Sequence, residues 1–191
     1  MSNKDKFIEI YKANIKRDGA DKLLKYLETS DFFTAPASSK FHGAYDGGLC
    51  DHSLNVYSWL KKLQTKESDE TIAICALLHD ICKTNFYVKD TKNVKNADGK
   101  WITQDYYRVE DKLFYGHGEG SVYILMSYLK LTREEALAIR WHMSGFDSSV
   151  KGGDYSQSGA YDNYPLCSKL AAADMLATFV TENIKGDKNN D

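Results

Sequence analysis

Residues 71–83, TIAICALLHDICK, constrain the fold more than any other stretch. A long apolar run without Gly or Pro predicts a buried helix rather than a strand. It ends in His79-Asp80, two metal-competent side chains side by side, with Lys83 one turn later. On a helix His79 shares a stripe with Ile72, Cys75 and Ala76, and Asp80 follows Ala76 and Leu77 at the same spacings. Burying an ionised carboxylate costs several kcal/mol unless a cation or strong hydrogen bonds compensate it. A helix ending this way asks for a partner, and a metal ion is the leading candidate.

The rest of the chain supplies helices to surround that one. Apolar spacing predicts helices over 4–15 and 20–28, a third over 49–66, a fifth from 117 to 129 and a sixth from Thr132 to about His142. Thr132 with Glu135 three residues later is a capping box. Pro165 opens a seventh, with Asp174 on the stripe of Cys167, Leu170, Ala171 and Ala177. Residues 86–110, rich in Tyr, Val, Ile and Thr around Asp98-Gly99, predict a β-hairpin. Two long loops, 30–48 and 144–163, complete the plan and, with residues 84–116, are expected to line the mouth of a site. The expected fold is all-α, about seven helices with a small hairpin insertion. Its 191 residues form a single domain: a helical extension over 1–47, a core over 48–185 and a disordered tail over 186–191.

Charge and cysteine usage narrow the function. A net charge of −2 and a pI near 6.2 leave no broad basic face for duplex nucleic acid. No apolar run is long enough to span a membrane, and the opening MSNKDK lacks a signal peptide's apolar core, so a cytoplasmic protein is expected. Cys50, Cys75, Cys82 and Cys167 show no CxxC pairing and read as small buried residues.

Five separate segments offer a metal ligand on or at the end of a predicted helix: His52, His79-Asp80, His117, His142 and Asp174. Ala171, Ala172 and Ala173 before Asp174 let a neighbouring helix approach closely. This order, with HDICK at its centre, resembles the HD superfamily of metal-dependent phosphohydrolases, and GGLCDHSL around His52 is similar to the start of HD domains attached to some exoribonucleases. The resemblance covers about residues 47–177. It implies that His52, His79, Asp80 and Asp174 hold a first metal and that His117 and His142 hold a second, with Asp80 bridging both. It also implies a phosphohydrolase that cleaves a nucleotide or a small phosphodiester or phosphomonoester by attack of a metal-bound hydroxide. WHMSGFD, residues 141–147, lacks the GYP signature of the cyclic-dinucleotide phosphodiesterases of the superfamily. No sensor or nuclease sequence stands beside the domain, so a free-standing member is expected.

Mixed imidazole and carboxylate ligands suit Fe, Mn, Zn, Co or Ni. Asp80 and Lys83 are the expected catalytic residues, Lys83 neutralising charge on phosphoryl oxygens or else only capping a helix end. Gly116, Gly118 and Gly120 around His117 either admit phosphate to a helix start or only shape a turn. Glu119 could orient a ligating His, and His42 in SSKFHGAY could reach substrate over the metals. Arg140 and Lys40 are weaker phosphate contacts. Two other readings stand beside hydrolysis: a di-iron oxygenase of the myo-inositol oxygenase type, and a non-catalytic metal- or nucleotide-binding module.

Overall fold

The structure, a computed structural model, describes residues 1–63 and 66–182. The described chain is mostly helical with one antiparallel hairpin, an HD-type all-α fold. Nine α-helices are described: α1 Asn3–Asn14, α2 Ala20–Thr29, α3 Gly48–Lys62, α4 Asp69–Leu78, α5 His117–Met126, α6 Arg133–Arg140, α7 Ser148–Lys151, α8 Ser156–Asn163 and α9 Pro165–Leu176. The strands are β1 Tyr87–Lys95 and β2 Trp101–Val109. The expected tail, 186–191, lies outside the described residues.

The central helix is α4, buried at every position from Ile72 to Leu78. Each such Leu or Ile side chain contributes about 1.5–3 kcal/mol by leaving water. Ser68 starts it by accepting from the Thr71 N–H. The helix is shorter than 71–83 suggested: α-helical bonding stops at Leu78, and a turn at His79-Asp80 leads into a 3₁₀ turn, Ile81–Lys83. That change of pitch lets neighbouring His79 and Asp80 face a common point. Around α4 pack α1, α3 and α6, with α9 against α3 and α6 and α5 against α6. The third helix likewise ends at Lys62, short of Lys66.

The second long loop is a correction. Within 144–163 the chain forms a 3₁₀ turn, Ser144–Phe146, then α7 and α8. Asp147 caps α7, its side chain accepting from the Ser149 N–H. Four Gly and scattered polar residues hide such short helices from apolar periodicity. The first long loop holds only turns, pinned by backbone bonds such as Ala37 N–H to Gly43 O at 2.9 Å.

The hairpin forms as expected, Tyr87 pairing with Val109 and Lys95 with Trp101. Gly99 takes the left-handed backbone that the turn requires, at φ 75°. The base is anchored at Asp46 of the first loop, which accepts from Tyr107 Oη and Lys89 Nζ, each at 2.6 Å. A depression of about 190 Å³ lies at that junction, lined by residues including Pro36, Asp46, Tyr87, Lys89 and Tyr107.

Candidate metal centre

Five segments deliver side chains to one buried cluster. His52 comes from the second turn of α3, His79 and Asp80 from the end of α4, His117 from the first position of α5, His142 from just beyond α6, and Asp174 from α9. His52, His79, Asp80 and His142 are each at most 2% exposed. His52 Nε2 lies 3.1 Å from Asp174 Oδ1 and 3.3 Å from His79 Nε2. Asp80 sits between the two ends of the cluster. Its Oδ2 is 3.5 Å from His79 Nε2 and 3.7 Å from His52 Nε2, and its Oδ1 is 2.6 Å from His117 Nε2 and 3.3 Å from His142 Nε2.

The backbone sets the protonation of two rings. His79 Nδ1 faces Ala76 O at 2.9 Å, and His142 Nδ1 faces Ile139 O at 2.6 Å. A carbonyl oxygen only accepts, so Nδ1 carries the proton in each neutral ring and Nε2 presents a lone pair. These Nε2 atoms lie 3.5 and 3.3 Å from oxygens of Asp80, and His142 Nε2 is buried without any hydrogen-bond partner. Acceptors facing acceptors in a dry interior are costly unless a cation lies between them. Imidazole nitrogens and carboxylate oxygens are also the donors that transition ions prefer. The residues present therefore fit a metal.

The titration shifts follow the same geometry. Burial drives His79 down to about 3, beyond what the nearby Asp80 recovers. Burial also works against charge on His52, but hydrogen bonds to Asp174 and Glu182 prevail and hold it at about 10. His117 is similarly held at about 10, where burial is outweighed by Cys82 and Asp80. Asp80 stays well below the usual carboxylate range: burial opposes this, but Lys83, His79 and His117 outweigh it. Asp174 is also lowered, the His52 hydrogen bond overcoming burial.

Lys83 is not a solvated helix end. It is buried, with Nζ 2.6 Å from Asp80 Oδ2. His42 reaches the cluster from its loop, its ring centroid 4.9 Å from that of His52. Gly118 has a packing reason to be glycine: a Cβ there would lie 2.1 Å from the carbonyl oxygen of Arg140. Glu119 pairs with Arg140, whose other bonds go to Asp147 and Ser149. Lys40 is exposed in the first loop.

Two neighbours were not foreseen in the sequence. Glu182 lies 3.0 Å from His52 Nδ1, at the end of a π-helical segment, Ala177–Glu182. Cys82, read as structural, places Sγ 3.4 Å from His117 Nδ1. Glu182 belongs to no periodic pattern, and Cys82, at helical spacing from Cys75, reads as one more small buried residue. Among the described residues four ligand-competent groups result, each with donor atoms within 4.8 Å of one another: His52, His79 and Asp174; His79, Asp80 and His142; Asp80, Cys82 and His117; His42, His52 and Glu182.

A profile of the HD domain matches residues 49–178, about two thirds of the chain. The chain belongs to the HD domain family, the superfamily of metal-dependent phosphohydrolases. The match begins at the start of α3 and ends just past α9, so it takes in every segment that supplies His52, His79, Asp80, His117, His142 and Asp174. HD domains bind divalent metals, and this one has His/Asp clusters able to hold them. No curated protein and no solved structure matches the chain. No helix of the described residues is long and apolar enough to cross a membrane.

Proposed function

We propose that this HD domain hydrolyses a phosphoester, a nucleotide or a small phosphodiester or phosphomonoester, at a dinuclear metal centre. In this reading His52, His79, Asp80 and Asp174 hold one ion and Asp80, His117 and His142 the other, the ions being Fe, Mn, Zn, Co or Ni. The observation that carries it is His142 Nε2, buried, without a hydrogen-bond partner and 3.3 Å from Asp80 Oδ1.

Divalent ions held there would supply Lewis acidity and bring the deprotonation of water toward neutral pH. The chain's own residues do the rest. Asp80 bridges the two halves and is kept ionised by Lys83. The Lys83 ammonium, fixed by Asp80, leaves two N–H donors for the oxygens of a phosphoryl group. His42 closes the His52 side and is a proposed substrate contact, while Gly118 is assigned to helix packing. Tyr87 is near enough to feel the charges of Lys83 and Asp80, and with Tyr107 it gives the hairpin rim aromatic faces on which a base or ring can stack. A small soluble substrate in the cytoplasm, rather than duplex nucleic acid or membrane, accords with the net charge of −2.

Release of phosphate or alcohol from a nucleotide panel and a generic phosphodiester, with Mn²⁺ added, tests this directly. Asp80→Ala is expected to remove at least about 4 kcal/mol of transition-state stabilisation, a loss of about a thousandfold or more in kcat/KM. Oxygen uptake by iron-loaded protein without any phosphoester cleavage would replace this reading with the oxygenase.

A further inference from the structure

Glu182 occupies an unexpected place. Directly after α9 the backbone leaves α-helical pitch, Ala177–Glu182 being π-helical. A π-turn inserts extra backbone per turn and rotates the residues beyond it onto a different face. Here it carries Thr181 and Glu182 onto α3. Thr181 Oγ1 accepts from Trp59 Nε1 at 2.8 Å, and Glu182 Oε1 accepts from Asn55 Nδ2 at 2.9 Å. Both Glu182 oxygens then face His52 Nδ1, at 3.0 and 3.2 Å. His52, Asn55 and Trp59 lie along one face of α3, so the π segment is docked at three successive positions.

We infer that Glu182 is a positioning residue: it accepts the Nδ1 proton of His52, fixes the ring's tautomer and rotation, and aims Nε2 at the first metal position. This rests on the metal reading above. A carboxylate behind a ligating His keeps the proton on the rear nitrogen and raises the basicity of the front one, and losing such a partner commonly costs 10- to 100-fold in metal affinity. His79 and His142 use backbone carbonyls for the same purpose. His52 lies inside α3, where neighbouring carbonyls serve the helix's own bonds, and so needs an acceptor from elsewhere. Asn55 in turn holds the carboxylate. His42 borders the same pair, its ring against that of His52, and shares the group with Glu182.

The test is titration of Co²⁺ into chelator-stripped full-length protein, read by the visible absorption of the bound ion. Wild type is compared with Glu182→Ala, Glu182→Gln and Thr181→Val. Glu182→Ala is expected to weaken first-site Co²⁺ binding by about 10- to 100-fold. Glu182→Gln, whose amide oxygen still accepts from Nδ1, should recover most of that loss. Thr181→Val loosens the same segment without touching His52 and should stay within a few-fold of wild type. In ¹⁵N spectra of the Zn²⁺-loaded protein, Glu182→Ala should shift the His52 Nδ1 signal, whose proton loses its acceptor, while those of His79 and His142 hold still. Unchanged Co²⁺ affinity in Glu182→Ala overturns the inference, as does an equal loss in Thr181→Val, which would make the segment's docking responsible. A wild type that binds no Co²⁺ removes the metal reading itself.

Discussion

Glu135 and Asp80 are the two most deeply buried carboxylates among the described residues, and their surroundings differ in kind. Glu135 is fully buried, and its partners close around it. Arg17 grips both oxygens, at 2.8 and 2.9 Å, the Thr71 hydroxyl donates to one, and the Thr132 N–H donates to the other. Every strong contact brings a proton to the carboxylate. Asp80 is almost as buried, but beyond Lys83 and His117 it meets the Nε2 atoms of His79 and His142, which in their neutral forms bring none. The first arrangement is complete as it stands and joins the α1–α2 connection, α4 and α6. The second is complete only with a cation. Satisfaction of the surrounding polar atoms, rather than burial or charge, is what separates these two carboxylates.

Breaking the closed cluster gives the largest stability effect. Glu135→Ala leaves Arg17 without its main partner and is expected to cost about 3–5 kcal/mol, visible in urea unfolding, while metal content per folded molecule stays as in wild type. If metal content falls with it, the two regions are not independent and the contrast fails.

Opening the other cluster should act the opposite way round. His117→Ala and His142→Ala are each expected to reduce bound metal from about two ions to about one, with helicity by circular dichroism almost unchanged. Full two-ion stoichiometry in both variants would break the dinuclear assignment.

Acidity sharpens the contrast further. Glu135 is lowered from its ordinary value, Arg17 outweighing burial, so its stability is complete above about pH 4.5 and is lost only as pH falls below that. The metal-free histidines run differently. His52 and His117, raised from 6.5 to about 10, stabilise fully below pH 6.5 and lose that contribution as pH climbs toward 10. His79, lowered to about 3, subtracts stability as pH falls from 6.5. Metal binding at pH 8 must therefore displace protons from His52 and His117. Its calorimetric enthalpy should vary with the ionisation enthalpy of the buffer. A buffer-independent enthalpy would contradict the protonation assigned to these rings.

The smallest effect concerns the rim. Asp46→Ala removes the shared acceptor of Tyr107 and Lys89, exposed groups whose bonds contribute at most about 1 kcal/mol. Faster amide exchange across Tyr87–Val109 with unchanged metal affinity is expected; a changed affinity would tie the rim to the centre.

The sequence exposed the candidate site better than its supports. His52, His79, Asp80, His117, His142 and Asp174 each carry a polar, metal-competent side chain on or beside an apolar helix pattern, and that contradiction is legible one segment at a time. Glu135 was legible only as the far half of a capping box. Its second role needs Arg17, far away in sequence, to fold onto it. Glu182 follows a π-turn that no residue spacing announces, and Cys82 reads as one more small apolar residue. The hairpin was legible from Asp98-Gly99 and its β-prone flanks, whereas α7 and α8 lack the apolar repeat that reveals a helix.

The cage is assembled from distant parts of the chain. His52 and His79 are 27 residues apart, Asp80 and His117 are 37 apart, and His52 and Glu182 are 130 apart. In an unfolded chain these donors are scattered, and gathering them means closing several long loops at once. On the proposed reading, a nascent polypeptide would have no high-affinity place for an ion, and loading would follow folding. The choice among competing metals would, on that same reading, fall to the finished cage, and a chelator would act like the opening of a clasp that joins α3, α4, α5, α6 and α9.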